Sequence, residues 1–135
     1  MTVYLMIPDI TLKVLKYGHE RFKLLQKWRE IAEKASDVIC RALGNAEVYV
    51  FGSVVKNNFT AASDIDMFVV SENVEENEKF AVNLQLMIED MLGIPPGLIH
   101  LHVVKPNSER YKWFIEALKI KPLLIKRCDD AQEKG

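Results

Sequence analysis

The chain has 135 residues, a length that fits one domain, and 49% of them are apolar, enough to bury a core. Its 18 Lys and Arg nearly balance 19 Asp and Glu, for a formal net charge of −1, so charge does not indicate a nucleic-acid surface beyond a local patch. No apolar stretch reaches the roughly 18 residues of a membrane span, and the first ten residues lack the basic start and cleavage site of a signal peptide, so a cytoplasmic protein is expected.

Pro8-Asp9 opens a short helical stretch to about Tyr17, with Gly18 as a stop or bend. A longer helix is predicted over residues 19–43. Leu24, Leu25, Trp28, Ile31, Ala32, Ala35, Val38, Ile39 and Ala42 recur there at helical spacing, and Gly44-Asn45 ends it. Residues 47–51 form a short first strand. Ser53 is placed to cap a brief helix just after Gly52, and residues 57–60 are loop-like. Residues 65–70 are the second strand. Residues 75–92 form a helix with Phe80, Leu84, Met87, Ile88 and Met91 on one face and an acidic first turn that suits the helix dipole. After the turn at residues 93–97 comes a third strand, residues 98–104. A last helix runs to about Ile120, with Tyr111, Phe114, Ala117 and Leu118 on one face and Trp113 turned elsewhere. Pro122 breaks or kinks it, Lys119, Lys121, Lys126 and Arg127 form a weak basic cluster, and the tail from Asp129 is polar.

The order α-α-β-(short α)-β-α-β-α predicts a single α/β domain over residues 1–135, one small sheet with helices packed against it. Residues 71–97 are long enough for a helical crossover between strands two and three. Cys40 and Cys128 lie far apart, show no zinc or C-x-x-C spacing, and read as two free thiols in a reducing compartment.

The chemistry concentrates between the first two strands. An apolar run ends in Gly52-Ser53, ten residues follow, and the next apolar run opens with Asp64-Ile65-Asp66. Alternate residues of a strand share a face, so the two carboxylates project together, on the order of 7 Å apart. Like charges that close call for a cation, and Mg²⁺ takes one or two carboxylates with phosphate oxygens in its remaining positions. Gly52 lets the backbone approach a ligand, and the amides after it, with the Ser53 hydroxyl, suit phosphate. The pattern describes a grip on a nucleoside triphosphate and its metal, with attack on the α-phosphorus and loss of pyrophosphate as the chemical outcome.

On Gly52, Ser53, Asp64 and Asp66, with Ser63 just before the first acid, the chain resembles the minimal nucleotidyltransferases of the DNA polymerase beta superfamily. The resemblance covers about residues 46–104. It implies an α+β nucleotidyltransferase fold with a small mixed sheet, Gly52 and Ser53 on the triphosphate of a nucleotide such as ATP, and Asp64 and Asp66 on Mg²⁺ or Mn²⁺. Members often carry an arginine soon after Gly-Ser; here Lys56 is the nearby cation. The resemblance also implies a third carboxylate on a later strand, yet residues 98–104 contain no acid, and by position His100 stands in its place. Three readings stay open. His100 replaces the acid as ligand or base, favouring Mn²⁺ or Zn²⁺, which accept imidazole better than Mg²⁺ does. Alternatively, the site binds nucleotide through one metal position and transfers it poorly. Or His100 and His102 are ordinary strand residues, the reading preferred for His102. The smallest family members are similar to proteins that work beside an all-helical partner of the HEPN class as antitoxins, in some cases by adenylylating it. A module acting by contact alone is the rival reading, and a transferase for small hydroxylated compounds a third.

Overall fold

The first two helices meet at Lys27, not at Gly18. The structure, a computed structural model, describes residues 9–118 and 122–129; α1 is Asp9–Gln26 and α2 is Trp28–Leu43. Gly18 lies inside α1, where a glycine costs only about 1 kcal/mol. The turns after it are tied down: Arg21 donates to the Ser63 carbonyl at 2.7 Å, the Phe22 and Phe59 rings lie 5.5 Å apart, and Leu25 is fully buried. Those contacts carry the helix through the glycine. At Lys27 the amide bonds back three residues to the Leu24 carbonyl, and the axis breaks there. α2 buries Ile31, Ala32, Ala35, Val38 and Ile39 as predicted, while Ala42 is exposed.

β1 (Ala46–Phe51), β2 (Ile65–Val70), β3 (Ile99–Val104) and β4 (Leu123–Cys128) form a mixed sheet in the order β3-β2-β1-β4. β1 is antiparallel to both β2 and β4, and β2 is parallel to β3. α3 (Glu78–Leu92) supplies the crossover a parallel pair requires. The Asn77 side chain caps it by accepting from the Phe80 amide at 2.7 Å. α3 packs against both β3 and α2, so its buried face centres on Ala81, Leu84 and Ile88, and Met87 and Met91 are exposed, contrary to the sequence prediction.

β4 is a strand the sequence pattern does not reveal. It is an edge strand, partly exposed along both faces, so it lacks the alternation that marks a half-buried strand. Tertiary contacts hold it: Arg127 pairs with Glu47 at 2.6 Å and Lys126 with Asp37. These two cations are therefore taken up by acids. Lys119 and Lys121 lie outside the described residues, as do the first eight residues and the tail after residue 129.

Cys40 and Cys128 form a disulfide between α2 and β4, with Cα atoms 6.0 Å apart and 88 residues between them in sequence, which corrects the expectation of two free thiols. Sequence spacing carries no information on this contact, because the closing of β4 onto β1 creates it. Reducing the bond should lower unfolding stability by about 2–4 kcal/mol, read as a shift of the urea midpoint with and without reductant. An unchanged midpoint would show that the bond contributes nothing to stability.

The sheet has two differently covered faces. Val48, Val50, Ile65, Met67, Val69, Leu101 and Val103 join the main core with α2 and α3. Phe68, Val70 and Val104 face the other way, where Tyr111 and Phe114 of α4 (Glu109–Leu118) pack on them beside Tyr49 and Phe51. Trp113 points away from the face shared by Tyr111 and Phe114 and is exposed, Ala117 is exposed against prediction, and the Leu118 side chain lies outside the described residues. No described helix is long and apolar enough to cross a membrane.

Candidate functional site

Gly52, at the exit of β1, has φ +87°, a region that L side chains rarely enter. A Cβ there would lie 2.6 Å from Asp66 Oδ2. The backbone favours glycine here, and an added Cβ would also displace the tip of the Asp66 carboxylate across the strand pair, where Phe51 is in register with Asp66. The brief helix expected after Gly52 does not form. Residues 53–57 make turns, with the Lys56 amide on the Gly52 carbonyl at 3.3 Å and the Asn58 amide on the Ser53 carbonyl at 3.1 Å. Asn57, at φ 59°, prevents the turn from continuing as a helix. Ser53 is half-buried and Lys56 exposed in this turn.

The loop back to β2 is braced by its own hydroxyls and by α1. The Thr60 amide donates to Ser63 Oγ at 2.9 Å, the Ala62 amide to Thr60 Oγ1 at 3.2 Å, and Arg21 holds the Ser63 carbonyl. Ser63 therefore shapes the loop that delivers Asp64 to the start of β2. Asp64 and Asp66 come together as strand alternation predicts. Burial, and then the charge of Asp64, push the Asp66 carboxyl up from 3.8 to about 6, with His100 pulling the other way.

The parallel register sets His100 beside Asp66, with Nδ1 3.6 Å from Asp66 Oδ1. His102 follows on the same face, its ring 4.4 Å from that of His100 and packed between Phe51 at 5.9 Å and Phe114 at 5.0 Å. Burial, then the neighbouring His100 and Arg110, hold the His102 imidazole down at about 4, so it is neutral at physiological pH. Asp66, His100 and His102 each offer a ligand atom within 4.8 Å of the others. The sequence reads His102 as an ordinary strand residue, packed or solvent-facing; it is packed against Phe51 and Phe114 and also belongs to this cluster. The signal was its i, i+2 spacing from His100.

A cavity of about 290 Å³ adjoins the histidines and is bounded by Asn77, Gln85 and Arg110. Another, of about 240 Å³, lies around Asn45, Glu47 and Arg127, and neither acid of the pair lines it.

Residues 32–126 match the family model of a nucleotidyltransferase domain. No curated protein matches the chain by sequence. The crystal structure of a candidate nucleotidyltransferase from Sulfolobus solfataricus is similar, with a TM-score of 0.54 and 21% identity over 88% of this chain and 91% of that one. At that identity the likeness speaks for the fold alone.

Proposed function

We propose nucleotidyl transfer from a nucleoside triphosphate to a hydroxyl group as the reaction of this chain, which belongs to the nucleotidyltransferase domain family. The observation that carries the reading is the close approach of its two half-motifs: a Cβ at Gly52 would meet Asp66 Oδ2 at 2.6 Å, so the turn after β1 lies directly against Asp66 of β2. The turn amides and the Ser53 hydroxyl hold the triphosphate tail, with ATP the first candidate, and Lys56 adds a cation from the same turn.

Asp64 and Asp66 hold the divalent ion, Mg²⁺ or Mn²⁺. The donor set supports the fit, because Asp64 helps to suppress the acidity of Asp66 and a cation between them relieves that repulsion. When bound, such an ion neutralises charge on the phosphates. In the transfer the acceptor oxygen bonds to the α-phosphorus, the bond to pyrophosphate breaks, and the hydroxyl proton departs. His100 stands where the family resemblance calls for a third carboxylate, as ligand or base. Residues 1–135 act as one catalytic domain in this reading.

A partner protein supplies the acceptor in this reading, one of the small all-helical HEPN class. α1 leaves Ile10, Leu12, Val14 and Leu15 exposed, a surface open to a partner, and the HEPN class comes from the family resemblance alone. The same surface favours a second reading, neutralisation of the partner by contact alone.

Transfer of label from α-labelled ATP into a lysate of the source organism, with Mg²⁺ and then Mn²⁺, separates the two. Label dependent on the acids, and absent with Asp64→Ala/Asp66→Ala, supports transfer, and the labelled band identifies the acceptor. No label from protein shown to bind ATP would sink the transferase reading and leave contact alone.

A further inference from the structure

We propose that Asp66, His100 and His102 form a binding site for a divalent transition ion of the Zn²⁺ class, distinct in chemistry from the Mg²⁺ or Mn²⁺ position of Asp64 and Asp66. The inference deepens the reading of the site but does not need nucleotide transfer to occur. It names the ion that the exchange of an acid for imidazole selects.

The donor set is the first argument. Mg²⁺ takes oxygen ligands and parts reluctantly with its water, whereas imidazole suits Zn²⁺ and its neighbours in the first transition row. Two imidazoles and one carboxylate are three protein ligands. That number leaves a coordination position open to water or substrate, as catalytic zinc sites do.

Geometry is the second. All three ligand atoms lie within 4.8 Å of one another, and His100 Nδ1 stands 3.6 Å from Asp66 Oδ1. Neighbouring ligands of a tetrahedral Zn²⁺ with bonds of about 2.1 Å are separated by about 3.4 Å. The His100 side chain is 56% exposed, so it is free to make the small adjustment needed.

Preorganisation is the third. The ligands come from adjacent parallel strands, with Asp66 in register with His100 and His102 two residues further along the same face. His102 is steadied by the Phe51 and Phe114 rings. No loop has to order itself for these groups to meet. Asp66 is common to both donor sets, and Asp64 lies outside the cluster.

The test uses the full chain, stripped of metal by chelation and without nucleotide. Co²⁺ is titrated and followed by its visible absorption, then challenged with Zn²⁺ and with about a 100-fold excess of Mg²⁺. One equivalent of Co²⁺ should bind, be displaced by Zn²⁺, and resist Mg²⁺. His100→Ala and His102→Gln should each weaken Co²⁺ binding at least tenfold. His100→Asp should let Mg²⁺ compete. Equal Co²⁺ affinity in His100→Ala and the parent chain would overturn the proposal, as would ready displacement by Mg²⁺. Circular dichroism checks that His102→Gln is folded, and the exposed His100 decides the matter if it is not. Failure of label transfer with Co²⁺ binding intact would remove the transferase reading and leave this site standing.

Discussion

Asp66→Asn is expected to cut nucleotidyl transfer by at least about 10²–10³-fold and, in the same protein, to stabilise the metal-free fold. Under the proposed function the loss follows from removing the carboxylate shared by both donor sets, through which a bound ion would stabilise charge on the reacting phosphates. The gain follows from linkage. Burial and Asp64 raise the folded-state carboxyl from 3.8 to about 6. A raised carboxyl contributes its stability at pH below its unfolded value and loses it as pH rises through its folded value. The parent chain in chelator therefore carries a penalty at pH 7 that develops between about pH 4 and 6. After discounting for solvent screening of a partly exposed group, the penalty is about 1 kcal/mol. Asp66→Asn removes it, raising the melting temperature by about 3–5 °C at pH 7 and by much less at pH 4. His102, held near 4, has its own dependence in the opposite sense, so the difference between variant and parent is the quantity to read. Thermal unfolding across pH with chelator, beside a transfer assay, checks both halves. A variant less stable than the parent at pH 7 would mean that Asp66 is held by favourable contacts, not crowded by Asp64.

Gly52→Ala is expected to damage fold and site together. Its Cβ would sit 2.6 Å from Asp66 Oδ2 on a backbone at φ +87°, so either the turn must leave its conformation or the carboxylate must move. Strain of this kind costs about 1–3 kcal/mol. If Asp66 holds the ion as proposed, its displacement by about 1 Å would cost on the order of 100-fold in rate. Gly93→Ala is the control: Gly93 also has positive φ, at +64°, but has nothing within 4 Å of the added carbon. It should lose about 1 kcal/mol of stability and no activity. Chemical denaturation and label transfer on the two variants separate backbone strain from site collision. Equal activity in both would mean that the Gly52 contact does not position Asp66.

The sequence alone located the elements that carry the candidate site. An apolar run closed by Gly-Ser and another opened by Asp-x-Asp are local signals, because strand alternation by itself puts Asp64 and Asp66 on one face. The helical crossover from β2 through α3 to β3 was also legible, since the stretch between the strands is long enough to hold one. What sequence could not supply depended on contacts between distant segments. Gly18 reads as a stop, yet Arg21 and Phe22 bond and pack to the loop around residues 59–63, and those contacts outweigh the cost of one glycine. β4 carries too little alternation to be recognised, and it becomes a strand because β1 offers an unpaired edge and Cys40, Asp37 and Glu47 lie there to receive it. The strand register placed His100 beside Asp66 and brought His102 with it into the cluster. Local patterns record which face a residue takes within its own element. Which elements meet, and in what register, is settled by packing free energy shared among residues far apart in the chain.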